Sequence, residues 1–444
     1  MTFEELNLNR PLLNALADLG FEHPTTIQQK AFSVIMSGRD VCGIAQTGTG
    51  KTFAYLLPLL RQLTWSKTRS PQLLILVPTR ELVVQVVQSV KELTPYMTLD
   101  TVGVFGGVNM NTQRLAVENG SDIVVATPGR LYDLAVSGSL KLNAIKKLVI
   151  DEVDEMLNLG FRTQLKNILD LLPPRRQNLL FSATINEEVE GLMDLYFNNP
   201  ERIEAAPVGT PLTNIAQRAY LVPNFYTKVN LLIWLLAHYQ EMTRVLIFVG
   251  SRALADELFE ELSPEFPEVA GVIHSNKEQN HRFNTVNQFQ SGRYRFIIAT
   301  DIIARGLDIA EVSHVINFDT PEDPAAYIHR IGRTGRKDKK GEAITFVLEK
   351  EKPYLEAIEA LMDYQVPLEP LPGDLEISTE LTDDELPKVH MKELSAKLPK
   401  VEPRGAAFHE RSEKNRKVNV KVSHKDRMMQ KYGKPKTRGA KKKK

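Results

Sequence analysis

Gly43 Ile44 Ala45 Gln46 Thr47 Gly48 Thr49 Gly50 Lys51 Thr52 is the stretch that decides how this chain is read. Residues 40–44 before it form a short apolar run suited to a buried strand, and Phe53 Ala54 Tyr55 Leu56 Leu57 after it opens an apolar helical run. The glycines therefore fall at a strand-to-helix turn, the context in which such a stretch cradles phosphate. Glycine lets backbone N–H groups close around phosphate oxygens, and the helix N-terminus adds positive potential. Lys51 can then reach the terminal phosphates and Thr52 can hold magnesium. The pattern G-x-x-x-x-G-K-[ST] has Ala45 where its first glycine belongs, an alanine variant that keeps Gly50, Lys51 and Thr52.

A chain of 444 residues exceeds the length at which single cores stop growing, roughly 250–300 residues, so two domains plus accessory segments are expected. The composition, 42% hydrophobic and 25% charged, is that of an ordinary globular protein. The N-terminus, Met1 Thr2 Phe3 Glu4 Glu5 Leu6, is acidic and broken by polar residues, and no apolar run approaches the length of a membrane span. Neither export nor membrane insertion is expected. The single cysteine, Cys42, lies in the first strand-like run and can form no internal disulfide, which fits a reducing cytoplasm.

The net charge of +1 is unevenly spread: residues 400–444 hold 12 Lys and 5 Arg against 3 Glu and 1 Asp, a net of +13, which leaves −12 for the rest. The tail suits a polyanion, whereas nucleic-acid contact by the acidic body must come from a local groove.

Strand-like apolar runs at 73–77, 101–105, 123–126, 147–150 and 178–181 alternate with helical segments, the pattern of a parallel sheet covered by helices. Near Ala206 Pro207 Val208 Gly209 Thr210 Pro211 the pattern stops, and it resumes with runs at 245–249, 269–274, 296–300, 314–318 and 343–347. The expectation is a first domain over residues 1–206, a linker over 207–213, a second α/β domain over 214–365 and a flexible basic tail over 366–444. Only the first half carries the lysine loop, and paired halves of this kind meet across a cleft. Residues 229–239, with Trp234, read as an apolar helix packed in the core.

A phosphate-binding loop needs a carboxylate-bearing strand beside it, and Lys147 Leu148 Val149 Ile150 Asp151 Glu152 Val153 Asp154 supplies one. Ligands collect at the C-terminal edges of parallel strands, which brings Asp151 and Glu152 to Lys51 and Thr52. Asp151 is then the magnesium partner with Thr52, and Glu152 the candidate base for the attacking water. In the second half, Tyr327 Ile328 His329 Arg330 Ile331 Gly332 Arg333 Thr334 Gly335 Arg336 puts His329, Arg333 and Arg336 on one helical face. Guanidinium forks gathered without nearby acids suit a phosphate opposite them; the alternative is an exposed basic face.

With these motifs in this order, residues 1 to about 365 resemble a DEAD-box ATP-dependent RNA helicase, whose fold is two tandem RecA-like domains. The tetrad here reads Asp151 Glu152 Val153 Asp154, with Val153 in place of the family's alanine. The segment Gly20 Phe21 Glu22 His23 Pro24 Thr25 Thr26 Ile27 Gln28 resembles the family's adenine-recognition motif. The resemblance implies ATP, held with Mg2+, with Gln28 reading the base and Phe21 or Phe3 packing on it. The loop Ala45 Gln46 Thr47 Gly48 Thr49 Gly50 takes the phosphates and Asp308 the ribose. It further implies a sequence-independent RNA path over Arg80, Gly106, Gly107, Thr127 and Arg130 of the first domain and Gln279, Arg282, Thr300 and Arg305 of the second. Ser182, Thr184, Asp154 and His329 become coupling residues, and Arg333 and Arg336 arginine fingers delivered across the cleft. Leu246 Ile247 Phe248 Val249 Gly250 Ser251 departs from the family's usual motif ending and leaves Gly250 and Ser251 without a role. The activity implied is RNA-stimulated ATP hydrolysis coupled to local unwinding of RNA duplexes and remodelling of RNA–protein complexes. Two readings stand beside it: an ATP-gated RNA clamp that seldom unwinds, and a DNA helicase of a related superfamily.

Overall fold

Runs such as Leu73 Leu74 Ile75 Leu76 and Ile123 Val124 Val125 Ala126 have no polar position, so strands built from them must be covered on both faces. The structure, a computed structural model, describes residues 1–45, 48–63, 70–204, 214–301, 312–335, 340–382, 385 and 423–433. It covers these strands on both sides. Leu73 and Ile75 pack into one core with Val41, Val125 and Phe181, whereas Leu74 and Leu76 pack into another with Cys42, Val124 and Leu180. Each such side chain taken out of water contributes about 1.5–3 kcal/mol, so a one-residue slip in register would be heavily penalised.

The first sheet comprises β1 (Val41–Ile44), β2 (Leu73–Leu76), β3 (Thr101–Val104), β4 (Ile123–Ala126), β5 (Lys147–Asp151), β6 (Gln177–Ser182) and β7 (Glu201–Glu204). Its order is β3-β4-β2-β5-β6-β1-β7 and its pairings are parallel. The second comprises β8 (Ile215–Leu221), β9 (Val245–Phe248), β10 (Ala270–Ile273), β11 (Phe296–Ala299), β12 (His314–Asn317), β13 (Gly341–Val347) and β14 (Leu368–Glu369). Its order, β10-β11-β9-β12-β13-β8-β14, repeats the first strand for strand. The chain thus holds two parallel α/β domains of one topology, as the alternating runs imply. Helix starts follow side-chain chemistry: Asn9, Thr79, Asn186, Asn224, Ser251 and Asp323 each accept a hydrogen bond from a backbone N–H of the first turn.

Several expectations change. Strands β7, β8 and β14 carry polar or exposed positions and do not stand out as apolar runs. The expected linker, residues 207–213, lies outside the described residues.

The segment expected to turn flexible at residue 366 instead continues the second domain. Leu368 and Glu369 pair with Ala219 and Tyr220 of β8, and Leu371 and Leu375 pack on the core beneath the helix Phe225–His238. The strap then runs back along that helix. Trp234 Nε1 donates to Asp374 Oδ2, Asn230 Nδ2 to Glu376 O and Asn224 Nδ2 to Ser378 O, while Phe225 N donates to Glu385 Oε1. Trp234 accordingly lies at the margin of the core, stacked on His238. Residues Met1–Leu386 form one compact unit and Pro387–Lys444 a second; in the latter, Ser423 Oγ accepts from Asp426 N at the start of the helix His424–Tyr432.

Candidate active site

The glycine-rich turn follows β1, and the helix Lys51–Gln62 leaves it. Gly48 and Gly50 take φ values of 85° and 89°, a backbone region closed to most side chains. Gly50 is constrained twice, because a Cβ there would stand 2.5 Å from Gln28 Nε2. Gln28 itself begins the helix Thr26–Met36 in a capping box: Thr25 N donates to its Oε1 at 2.9 Å, and its Nε2 donates to Gly50 O at 3.1 Å. One amide lone pair and one amide N–H remain for a ligand. Phe21 is 40% exposed and meets Phe53 edge-on at 5.5 Å, whereas Phe3 is 4% exposed and belongs to the core. Of the two aromatics considered for a base, the accessible one is Phe21.

Asp151 ends β5, and its carboxylate accepts from Tyr55 Oη at 3.0 Å and from Glu152 N at 3.0 Å. Burial pushes its carboxyl above the usual carboxylate range, against the opposing charge of Lys51. Glu152 has φ 53° at the start of the helix Val153–Asn158. Burial pushes its carboxyl up to about 7, although Lys51, Arg333 and His329 act to lower it. Burial would raise Asp154 too, but His329, Lys51 and hydrogen bonds from Thr184 outweigh it and hold Asp154 below the usual range.

Asp154 Oδ2 accepts from Ala183 N, Thr184 N and Thr184 Oγ1 at 3.2, 3.0 and 2.9 Å, and Ser182 Oγ donates to Thr184 O at 2.6 Å. The loop after β6 is thereby tied to the acidic motif.

The second domain completes the cluster. His329, on the helix Pro324–Ile331, brings Nδ1 to 3.0 Å from Glu155 Oε1 and Nε2 to 3.9 Å from Asp154 Oδ2. Lys51, Glu152, Asp154, Glu155, Ala183, His329 and Arg333 line one cleft. Arg333 is 4% exposed and Lys51 6%. Lys51 Nζ and Glu152 Oε2 are buried with no hydrogen-bond partner among the described residues. A buried ammonium left so is costly unless an anion joins it, and the phosphates of a nucleotide fit that need.

Magnesium fits as well. Among the described residues no group of three or more His, Cys, Asp and Glu could hold a metal ion, but Mg2+ is characteristically held by one or two carboxylates with substrate phosphates and water. Asp151 retains lone pairs for that role, and Thr52, on the first turn of the helix Lys51–Gln62, shares the Tyr55 hydroxyl with it as a hydrogen-bond neighbour. A larger depression of about 420 Å3, lined by Lys30, Val34 and residues 201–204 beside β7, carries none of this chemistry.

Arg80 lies against the Gly107 backbone, which a side chain at that glycine would block. Arg130 donates to Gln113 Oε1 at 2.6 Å and to Val108 O at 3.1 Å. Gly106 and Gly107 follow β3, and Thr127 precedes the helix Pro128–Val136 after β4. Thr300 is buried after β11, its N donating to Ile273 O.

Arg282, expected to face RNA, is instead buried in this state against Glu81 of the first domain, Nη1 to Oε1 3.1 Å. Sequence reasoning missed this pair because its members are about 200 residues apart and each is ordinary alone. Gln46, Thr47, Arg305, Asp308, Arg336 and the Gln279 side chain lie outside the described residues. Gly250 and Ser251 gain roles: Gly250 N donates to Asp319 Oδ2 at 2.8 Å, and Ser251 Oγ accepts from Leu254 N.

A glycine-rich phosphate turn on one sheet, faced across a cleft by a histidine and an arginine from a second sheet of identical topology, defines a pair of RecA-like domains. A family model described as DEAD/DEAH box helicase matches residues 25–192, and one described as helicase conserved C-terminal domain matches residues 227–338. RNA helicase CrhR of Synechocystis sp. is 38% identical over 379 residues, 85% of this chain and 76% of its own. ATP-dependent RNA helicase DbpA of Bacillus subtilis is 36% identical over 376 residues, 85% of this chain and 78% of its own. Among solved structures, Dbp5 of S. cerevisiae bound to RNA and ADP BeF3 has a TM-score of 0.75 at 30% identity, covering 83% of this chain and 95% of that one. The chain belongs to the DEAD-box RNA helicase family.

Proposed function

We propose that this protein is an ATP-dependent RNA helicase in which ATP hydrolysis, stimulated by RNA, drives local separation or remodelling of RNA structures. The observation that carries the reading is the shared cleft, where Lys51 and Glu152 of one domain, each with a buried atom that has no hydrogen-bond partner among the described residues, meet His329 and Arg333 of the other. Lys51 and the loop 45–50 bind the phosphates, Gln28 and Phe21 orient the adenine, and Asp308 takes the ribose. Thr52 and Asp151 would hold Mg2+, which supplies charge neutralisation at the phosphates. Glu152 orients the attacking water and accepts its proton. Arg333 and Arg336 stabilise charge developing on the transferred phosphoryl group, as finger arginines do in other nucleotide hydrolases.

The site is complete only while the domains are closed, so a ligand that binds the closed form accelerates hydrolysis. RNA lying across Arg80, Gly106, Gly107, Thr127 and Arg130 on one side and Gln279, Thr300 and Arg305 on the other is that ligand. These contacts suit the sugar–phosphate backbone and carry no base information. Ser182, Thr184, Asp154 and His329 couple the two events.

Val153, in place of alanine in the tetrad, is fully buried in the first domain's core and removes no polar group from the cleft. The domain limits 1–206 and 214–365 are kept as working boundaries, the second extended to 386 by the strap. The basic tail adds RNA affinity. Among the described residues no helix is long and apolar enough to cross a membrane; the lone buried Cys42 suits a cytoplasmic setting. ATPase stimulation by RNA and by DNA of equal length tests the reading: RNA alone should stimulate, and equal stimulation would contradict RNA specificity.

A further inference from the structure

Glu155 stands one residue past the acidic motif, and no motif reading gives it a role. It is 4% exposed, yet its Oε1 lies closer to His329 than Asp154 does, 3.0 Å against 3.9 Å. Asp154 Oδ2 already receives three donors from Ala183 and Thr184, so its hydrogen bonds go to its own domain and its link to His329 is the longer, purely electrostatic one.

The helix bearing His329 is held on two sides. Arg330 ties it to its own domain, Nε and Nη2 donating to Asp301 at 2.6 and 2.7 Å and Nη1 to Asp319 O at 2.7 Å. His329, the neighbouring residue, reaches the other way into the first domain. Gly332 N donates to Ile328 O and Arg333 N to Arg330 O, so the backbone carrying Arg333 continues the same turn.

We propose that Glu155 is a positioning residue for ATP hydrolysis: it receives His329 when the domains close and so sets the helix end that presents Arg333 to the nucleotide. A carboxylate this deep is strongly disfavoured without a compensating partner. Opening the domains must rehydrate Glu155, and closing must return it to His329. On this proposal the 3.0 Å contact with His329 outweighs that loss of hydration, so the pair favours closure, and the affinity for RNA, which selects the closed form, depends on it. Asp154 keeps the separate task of holding the loop after β6.

The inference rests on the RNA-dependent ATPase reading, and the test separates the two. Steady-state ATPase is titrated with single-stranded RNA for wild type, Glu155→Gln, Glu155→Asp, His329→Gln and the Glu155→Gln/His329→Gln double variant, with interdomain fluorescence transfer recorded alongside. Glu155→Gln should need about tenfold more RNA for half-maximal turnover and show less transfer at a given RNA concentration. Glu155→Asp, which keeps the charge, should recover part of the loss, and the double variant should be no worse than either single one. Should Glu155→Gln fail to fold by its thermal transition, Glu155→Asp alone decides, its RNA requirement raised if the inference holds and unchanged if it does not. A wild type that responds to RNA, with Glu155→Gln matching it or with defects that multiply in the double variant, overturns the inference. A wild type unresponsive to RNA overturns the parent reading and this one with it.

Discussion

Glu152 concentrates the cost of the site at a single residue. Its φ of 53° is strained for a residue with a side chain, its carboxylate is buried, and Oε2 has no hydrogen-bond partner among the described residues. Burial lifts the folded value to about 7 from an ordinary 4.5. Because the folded value is raised, the stability linked to the protonated acid is fully present below about 4.5 and is lost as pH rises through about 7. In protein free of nucleotide and metal, Glu152→Gln should therefore be more stable than wild type at pH 8, by an amount on the order of 3 kcal/mol. The advantage should vanish near pH 4, as denaturant unfolding at the two pH values will show. The same variant should lose roughly a hundredfold or more in turnover. Lys51, Asp151 and Glu152 are legible in the sequence because a glycine turn and an acidic strand end have few other uses together. The choice between Phe3 and Phe21 is not, since both are aromatic and only folding sends one to the core.

The strap after β13 shows where periodicity stops being informative. Residues 366–385 hold three prolines and no helical or alternating pattern, so they read as the start of a tail. What orders them is tertiary: a place beside β8, two leucines on the core, and backbone and side-chain hydrogen bonds to one helix. Strand β8 escapes for a related reason, its exposed Ala216, half-buried Arg218 and exposed Leu221 breaking up the buried positions between them. Ending the chain after residue 365 should uncover the helix Phe225–His238 and destabilise the second domain by several kcal/mol, at roughly 25 cal/mol per Å2 of apolar surface exposed. Ending it after 386 should leave the thermal transition of the domains unchanged. Calorimetry of the two truncations checks both statements.

Across the whole molecule, charge and topology divide the work. On the proposed function the body, net −12 outside residues 400–444, gathers RNA through local groups such as Arg80 and Arg130, and the +13 tail would add to it through counterion release. Removing residues 387–444 should weaken RNA binding and flatten its dependence on salt, read as the slope of log affinity against log salt with and without the tail. The duplicated strand order sets Lys51 and Glu152 of one domain across a cleft from His329 and Arg333 of the other, and His329 with Glu155 and Arg282 with Glu81 are among the described contacts that join them. The paired halves can be read from alternating apolar runs; the residues that meet across them cannot, because those contacts are made only by the closed fold. The dependence of hydrolysis on Arg333 tests this division most directly. In a single-turnover ATPase assay with saturating RNA, Arg333→Ala should lose RNA-stimulated turnover by roughly a thousandfold while binding ATP nearly as wild type does. Turnover matching wild type would contradict a site completed by the second domain.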